Sequence, residues 1–318
     1  MSASLEWFSK AANQGHSLAA KNYKILSESL NKPEDEESGK KEVEWYKKAA
    51  NSGDTDAMIM LADFYMKGKI VEQSFEKGVQ WIQKAWEGGS SVAGVNLAFC
   101  FLNGRGVEKN EEKAIEILRK AGEGNAIAQF SLGIIFYEKS DFVQAKNLFE
   151  RAADNGHAEA CAYLGELLLE GKGTEKDVGR ALSCFKTSAM KDNPVGKYWM
   201  GRVVLEGFHL ERKVQVGRKY LIESAEEEFA PAAFLLFESY LDEHMGRNEE
   251  EAMKWAEFAS NLEHGEAMLV LAKYHLGNSN LFSQHFERDP KKAKILLEKC
   301  VQMGIEEAKN LLKEFDGK

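Results

Sequence analysis

The sequence predicts an all-α protein, a right-handed α-solenoid of about nine stacked antiparallel helix hairpins running through residues 1–318 as a single domain. Three observations predict it. A string with an aromatic or aliphatic residue, paired alanines, a glycine and a further alanine recurs as WFSKAANQGHSLAA, WYKKAANSGDTDAM and LFERAADNGHAEACA. Apolar residues around each copy follow the 3.6-residue period of a helix with one buried face. Proline is scarce, four residues in 318, as suits an all-helical chain.

Aligned on the glycine of the string, the copies fall at Gly15, Gly53, Gly89, Gly124, Gly156, Asp192, Glu228, Glu263 and Gly304, between 32 and 41 residues apart. Eight positions earlier (seven in one copy) stand Trp7, Trp45, Trp81, Ile117, Leu148, Cys184, Tyr220, Trp255 and Leu296. With the alanines after them they form the apolar stripe of a first helix. Glycine ends that helix because it enters the left-handed backbone region without a Cβ clash. Asp54, Ser90, Asn125 and Asn193 follow as N-caps of the second helix. Four residues past the turn lies alanine in eight copies and Gly196 in the other, so the paired helices approach closely.

Gly68, Gly104, Gly171 and Gly207 mark the exits from second helices, and Pro194, Pro231 and Pro290 fall at helix starts. Two insertions break the period: an acidic linker at 27–41 that contains Pro33, and a longer loop at 275–290 that carries Phe282 and Phe286. The short link at 138–142 predicts a tight join. Trp86 stands where other copies have alanine, and Gly94 on the next helix is expected to make room for it.

The formal charge of −9 and the lack of a basic stripe exclude a nucleic-acid reader, which needs clustered Lys and Arg. No apolar run approaches the ~20 residues of a membrane span, so membrane insertion is not expected. The N-terminus lacks the cationic start and apolar core of a secretory signal. Cys100, Cys161, Cys184 and Cys300 lie far apart and read as reduced thiols of a cytoplasmic protein. The Gly-x-Gly tripeptides at 104–106 and 171–173 follow helices, so they are turns of the repeat and not phosphate cradles. His16 and His157 fill the slot after the turn glycine as caps or surface residues. No metal-ligand spacing and no nucleophile–base set emerges, so the expectation is a non-enzyme with no cofactor and no metal.

Charges on the first helices form a pattern. Glu6–Lys10, Glu44–Lys48 and Glu116–Lys120 are spaced as i,i+4 pairs, each contributing about 0.3 kcal/mol if formed. Lys84, Arg151 and Lys299 share the lysine column. Lys48, Lys84, Lys120 and Arg151 are therefore expected to form a basic ladder along the concave groove for an acidic peptide segment. The ladder stops at Thr187, Glu223 and Phe258. Phe258 and, in the neighbouring column, Ile222 are expected as exposed apolar contacts for a partner. Leu311, Leu312 and Phe315 are expected to be exposed at the last helix, which suits an end-to-end homodimer or a neighbouring domain.

AIEILRKAGEGNAIAQFSLGIIF at 114–136 and AKNLFERAADNGHAEACAYLGELLLEGKG at 145–173 resemble the Sel-1-like repeat family, relatives of tetratricopeptide repeats. The strict 34-residue spacing and repeat-ending proline of tetratricopeptide repeats are missing. The resemblance implies an adaptor or scaffold that gathers proteins, as family members do in protein quality control, cell-wall regulation and bacteria–host signalling. A cysteine-rich Helicobacter branch, linked to β-lactam binding, pins each hairpin with a disulfide; this sequence has no cysteine pair in any hairpin. Three functions follow as expectations: a scaffold that holds a protein segment in its groove; a bacterial immunity or regulatory protein that occludes one toxin or enzyme; and a β-lactam-linked hydrolase, which requires a convergent nucleophile and base.

Overall fold

The computed structural model describes residues 2–30, 36–208, 210–279, 281–282 and 287–316. The chain forms two compact units, 1–157 and 158–318. The first holds α1 (Ser2–Asn13), α2 (Ser17–Ser29), α3 (Glu36–Asn51), α4 (Thr55–Lys67), α5 (Phe75–Glu87), α6 (Ser91–Asn103), α7 (Glu111–Ala121), α8 (Ala126–Glu138) and α9 (Phe142–Asp154). The second holds α10 (Ala158–Glu170), α11 (Val178–Met190), α12 (Pro194–Glu206), α13 (Val214–Glu226), α14 (Ala230–Leu241), α15 (Glu249–Asn261), α16 (Gly265–His275), α17 (Pro290–Gln302) and α18 (Glu306–Asp316). A 3-10 turn, Glu243–Met245, follows α14. No strand occurs among the described residues. Within each unit the substantial contacts join helices one or two places apart in the chain, the pattern of stacked hairpins.

The turn between paired helices behaves as its sequence demands. All nine aligned positions have positive φ: 82–93° at the six glycines, and 62°, 62° and 59° at Asp192, Glu228 and Glu263. The register therefore survives where glycine is lost. In the second hairpin Asp54 N–H donates to Ala49 O and Gly53 N–H to Ala50 O, both at 3.1 Å, which satisfies the last carbonyls of α3. Asp54, Ser90, Asn125 and Asn193 each accept a backbone N–H at the start of the second helix, as expected of N-caps. Gly68, Gly104, Gly171 and Gly207 all take left-handed backbone at the exits.

Hairpins interlock through a socket nine residues after the turn. A Cβ on Gly133 would stand 2.6 Å from the ring of Phe149, and one on Gly165 2.6 Å from that of Phe185. Gly201 receives Leu221 in the same way. In the next copy the sizes are exchanged: Phe237 fills the socket position and Ala256 the knob position, and both belong to one buried cluster. Trp86 lies over Gly94, where a Cβ would meet its ring at 2.6 Å, so this tryptophan is a packing feature.

Several expectations change. Residues 27–41 are not one linker: 27–29 finish α2 and 36–41 open α3, while 31–35, including Pro33, lie outside the described residues. Glu37 in the first turn of α3 favours the helix dipole, and Lys41 pairs with it at 2.7 Å. In the loop at 275–290, Phe282 is buried edge-on to Tyr274 at 5.1 Å; Phe286 is outside the described residues. Trp45 is buried against the preceding hairpin, edge-on to Tyr23 at 5.1 Å and bonded through Nε1 to Asn13 Oδ1 at 2.7 Å. Trp7, in the first hairpin, is 72% exposed. Leu311, Leu312 and Phe315 are half-buried instead of exposed, the two leucines against the last cluster, because their helix folds back on α17.

Candidate docking surface

The four basic residues expected as a ladder sit on α3, α5, α7 and α9, one on each of four consecutive first helices of the first unit, and all are exposed. Each immediately precedes a buried alanine: Ala49, Ala85, Ala121 and Ala152. Their surroundings differ. Lys120 pairs with Glu116 at 2.8 Å, and the ammonium holds the Glu116 carboxyl below its ordinary pKa. The expected Glu44–Lys48 pair is replaced by Glu44–Lys47 at 2.7 Å, so Lys48 Nζ reaches Asn13 O at 3.4 Å instead. Lys84 lies over the ring of Trp81 at 4.2 Å, and Lys10 over Trp7 at 5.7 Å. Lys48, Lys84 and Arg151 carry no ion pair among the described residues.

Arg151 lines a half-open cavity of about 350 Å³ between α7 and α9, floored by α8. The second guanidinium there belongs to Arg119, one position before the ladder and in the same column as Ile222. Lys120 is not part of this lining, since a step of one residue turns a side chain about 100° around the helix. Leu132 and Phe136 on the floor are buried, and the Arg119 guanidinium stands 6.0 Å from the Phe136 ring centre. Gln129, also buried, is locked: its Nε2 donates to Gly122 O at 2.7 Å and its Oε1 accepts from Asn155 Nδ2 at 2.9 Å. The signal for Arg119 was present in the sequence as the column beside the ladder.

On the second helices of the first unit, α6 and α8 expose apolar residues. α6 and α8 read SVAGVNLAFCFLN and AIAQFSLGIIFYE, with more apolar positions than one buried stripe absorbs. The surplus surfaces at Val92, Phe99 and Ile127, and Phe99 also lines a cavity of about 530 Å³ with Leu102 and Ile134 beside the charged Lys109, Glu111, Glu138 and Lys139. Charge and turn patterns gave no sign of it.

In the second unit, Ile222 is half-buried against the cluster around Leu205, Leu221 and Leu236 instead of standing in solvent. Phe258 is 38% exposed and lies edge-on to Trp255 at 5.6 Å. Two cations are buried nearby in the chain. Lys197 bonds Asp192 and Glu227; burial opposes its charge, yet these hydrogen bonds hold its pKa above the ordinary lysine value. The Arg218 guanidinium donates to Ser239 O at 2.6 Å and Ser239 Oγ at 3.1 Å, and covers the Tyr240 ring at 3.7 Å. Burial pushes its pKa down, against the pull of Tyr240 and Asp242. Both residues tie neighbouring helices together. His157, read as a cap or surface residue, stacks on Phe130 at 4.3 Å. All four cysteines are thiols, and burial pushes those of Cys100 and Cys300 up. No helix is long and apolar enough to cross a membrane among the described residues.

Repeated helix hairpins that dock on their neighbours define an α-helical repeat protein, whose architecture is consistent with a protein-interaction scaffold. The chain belongs to the Sel1 repeat family, which it matches over residues 1–16, 43–54, 55–90, 93–125, 126–157, 158–193, 230–264 and 266–304. One of the unmatched stretches, 194–229, contains both Lys197 and Arg218. Among solved structures, a protective antigen of uropathogenic Escherichia coli with an SLR fold is similar at 23% identity and a TM-score of 0.65, over 97% of this chain and 66% of that one. A Sel1 repeat protein of Oxalobacter formigenes is similar at 23% identity and 0.61, over 68% of this chain and 94% of that one. Beta-lactamase HcpA of Helicobacter pylori is 44% identical over 52 residues, 16% of this chain; the chain spans 21% of that relative's length.

Proposed function

We propose that the protein is a non-catalytic cytoplasmic scaffold that binds a segment of another protein along the concave groove of its first helices. The observation that supports this reading is the row of exposed cations on consecutive first helices, α3, α5, α7 and α9, of which Lys48, Lys84 and Arg151 have no carboxylate of their own among the described residues. A surface that leaves charge uncompensated at regular intervals suits an extended chain of opposite charge, and it acts mainly on association rate and specificity. The test is affinity capture with mass spectrometry, comparing the wild type with the Lys48→Glu, Lys84→Glu, Lys120→Glu triple variant. Captured partner is expected to fall with the triple variant, and the wild-type complex to weaken as salt rises. Unchanged capture rejects the ladder, and a wild type that captures nothing rejects the scaffold.

A further inference from the structure

The cavity between α7 and α9 has a composition that selects its occupant. Two guanidiniums, Arg119 and Arg151, and one carboxylate, Glu123, line it, leaving one net positive charge. Neither arginine has an ion-pair partner among the described residues, while Lys120 beside them is already matched with Glu116. Guanidinium is the planar donor that grips a carboxylate in two-pronged fashion, which lysine does not do. The Asn147 side chain is exposed in the lining and adds an uncommitted amide. Below the charged rim, buried Leu132 and Phe136 and half-buried Leu148 offer an apolar floor. The locked Gln129 amide holds that floor in place through its two hydrogen bonds.

We propose that this cavity receives one acidic side chain of a bound peptide, its carboxylate held between Arg119 and Arg151 and a neighbouring apolar side chain seated on Leu132, Phe136 and Leu148. The proposal rests on the scaffold reading and deepens it, since it names the chemistry of the anchoring residue. A single carboxylate balances the net charge of the lining. A segment with two adjacent acids also meets Glu123.

The test uses the full chain and two fluorescein-labelled nonapeptide pools. In one, a central Glu is flanked by Leu or Phe; in the other, Gln replaces that Glu. Fluorescence anisotropy is expected to show the Glu pool binding about tenfold tighter, with the advantage shrinking as salt rises. Arg119→Gln and Arg151→Gln are each expected to remove most of that advantage, Arg119→Lys to restore part of it, and Lys67→Gln, whose lysine pairs with Asp63 away from the cavity, to leave it unchanged. Thermal melts of the variants confirm that they fold. Equal binding of the two pools, absent binding of both, or undiminished discrimination in the arginine variants overturns the proposal. Free glutarate competing as well as the peptide also overturns it, because the cavity is then a small-carboxylate site. The two readings fail separately: partner capture without Glu/Gln discrimination removes the anchor and leaves the scaffold. Peptide discrimination with no captured partner does the reverse.

Discussion

Asp192, Glu228 and Glu263 occupy left-handed backbone where six other copies have glycine, and the angles show how a Cβ is accommodated. The glycine turns open to φ of 82–93°, whereas these three contract to 59–62°, the small basin available to L-residues. Residence there still costs about 1–2 kcal/mol per residue. Glu228→Gly and Glu263→Gly are therefore expected to stabilise the protein by about 0.5–1 kcal/mol each, after the extra entropy of glycine in the unfolded chain is discounted, read as a higher urea midpoint. Asp192→Gly should gain less or nothing, because Lys197 then keeps only Glu227 as its carboxylate partner. A fall in midpoint for Glu228→Gly and Glu263→Gly would show that their side chains contribute more than the backbone loses. These positions were legible in the sequence because their spacing held even though their chemistry changed.

Helices add two further consequences. The Gly165 socket is filled by the Phe185 ring, so Gly165→Ala forces that ring or the helix behind it to move, at an expected cost of about 1–3 kcal/mol. Adding Phe185→Leu should recover part of the loss, and failure of the double variant to improve on the single one argues against a steric cause. The second consequence concerns α16. His264 caps its start, with Nδ1 accepting the Ala267 N–H at 3.4 Å; His275 ends it, with Nδ1 accepting the Asp289 N–H at 3.2 Å. Both acceptors require neutral imidazole. Burial lowers both pKa values, helped at His275 by Lys292, while Glu266 opposes the shift at His264 and Asp289 and Glu257 oppose it at His275. The unfolded chain thus takes up protons first: stability from these groups is complete above the ordinary value of about 6.5 and is lost as pH falls below it toward the folded values. The thermal midpoint is expected to drop between about pH 7 and 5, and His264→Asn, which keeps a capping acceptor without titrating, should shallow that drop. Caps such as Asp54 were legible because one residue supplies the acceptor. The sockets and the role of His275 were not, since each depends on a residue brought in by the following hairpin or loop.

Within each unit, nearest-neighbour stacking explains why the repeat is legible in the sequence and the cavity between copies is not. The fold repeats a local rule, so nine aligned turns disclose it. The cavity is made between copies: Arg119 and Arg151 both line it because α7 presents the residue before the ladder column and α9 the ladder residue itself. Ile222 failed as an exposed contact for the same reason, its column being turned toward the adjoining helices at that copy. The apolar surplus on α6 and α8 leaves a second candidate face, and the two faces make opposite predictions. Phe99 and Ile127 are 44% and 52% exposed, so Phe99→Asp with Ile127→Asp removes little packing while placing two carboxylates on the second-helix face. With docking on the first helices, this variant should capture the partner as the wild type does and differ only in being more soluble. Loss of capture in it, together with retained capture in the lysine triple variant, would move the docking surface to the second helices. Loss in both would require a partner that wraps the edge of the stack, a geometry that buries more than either groove alone and resists salt more than a charge-steered segment does.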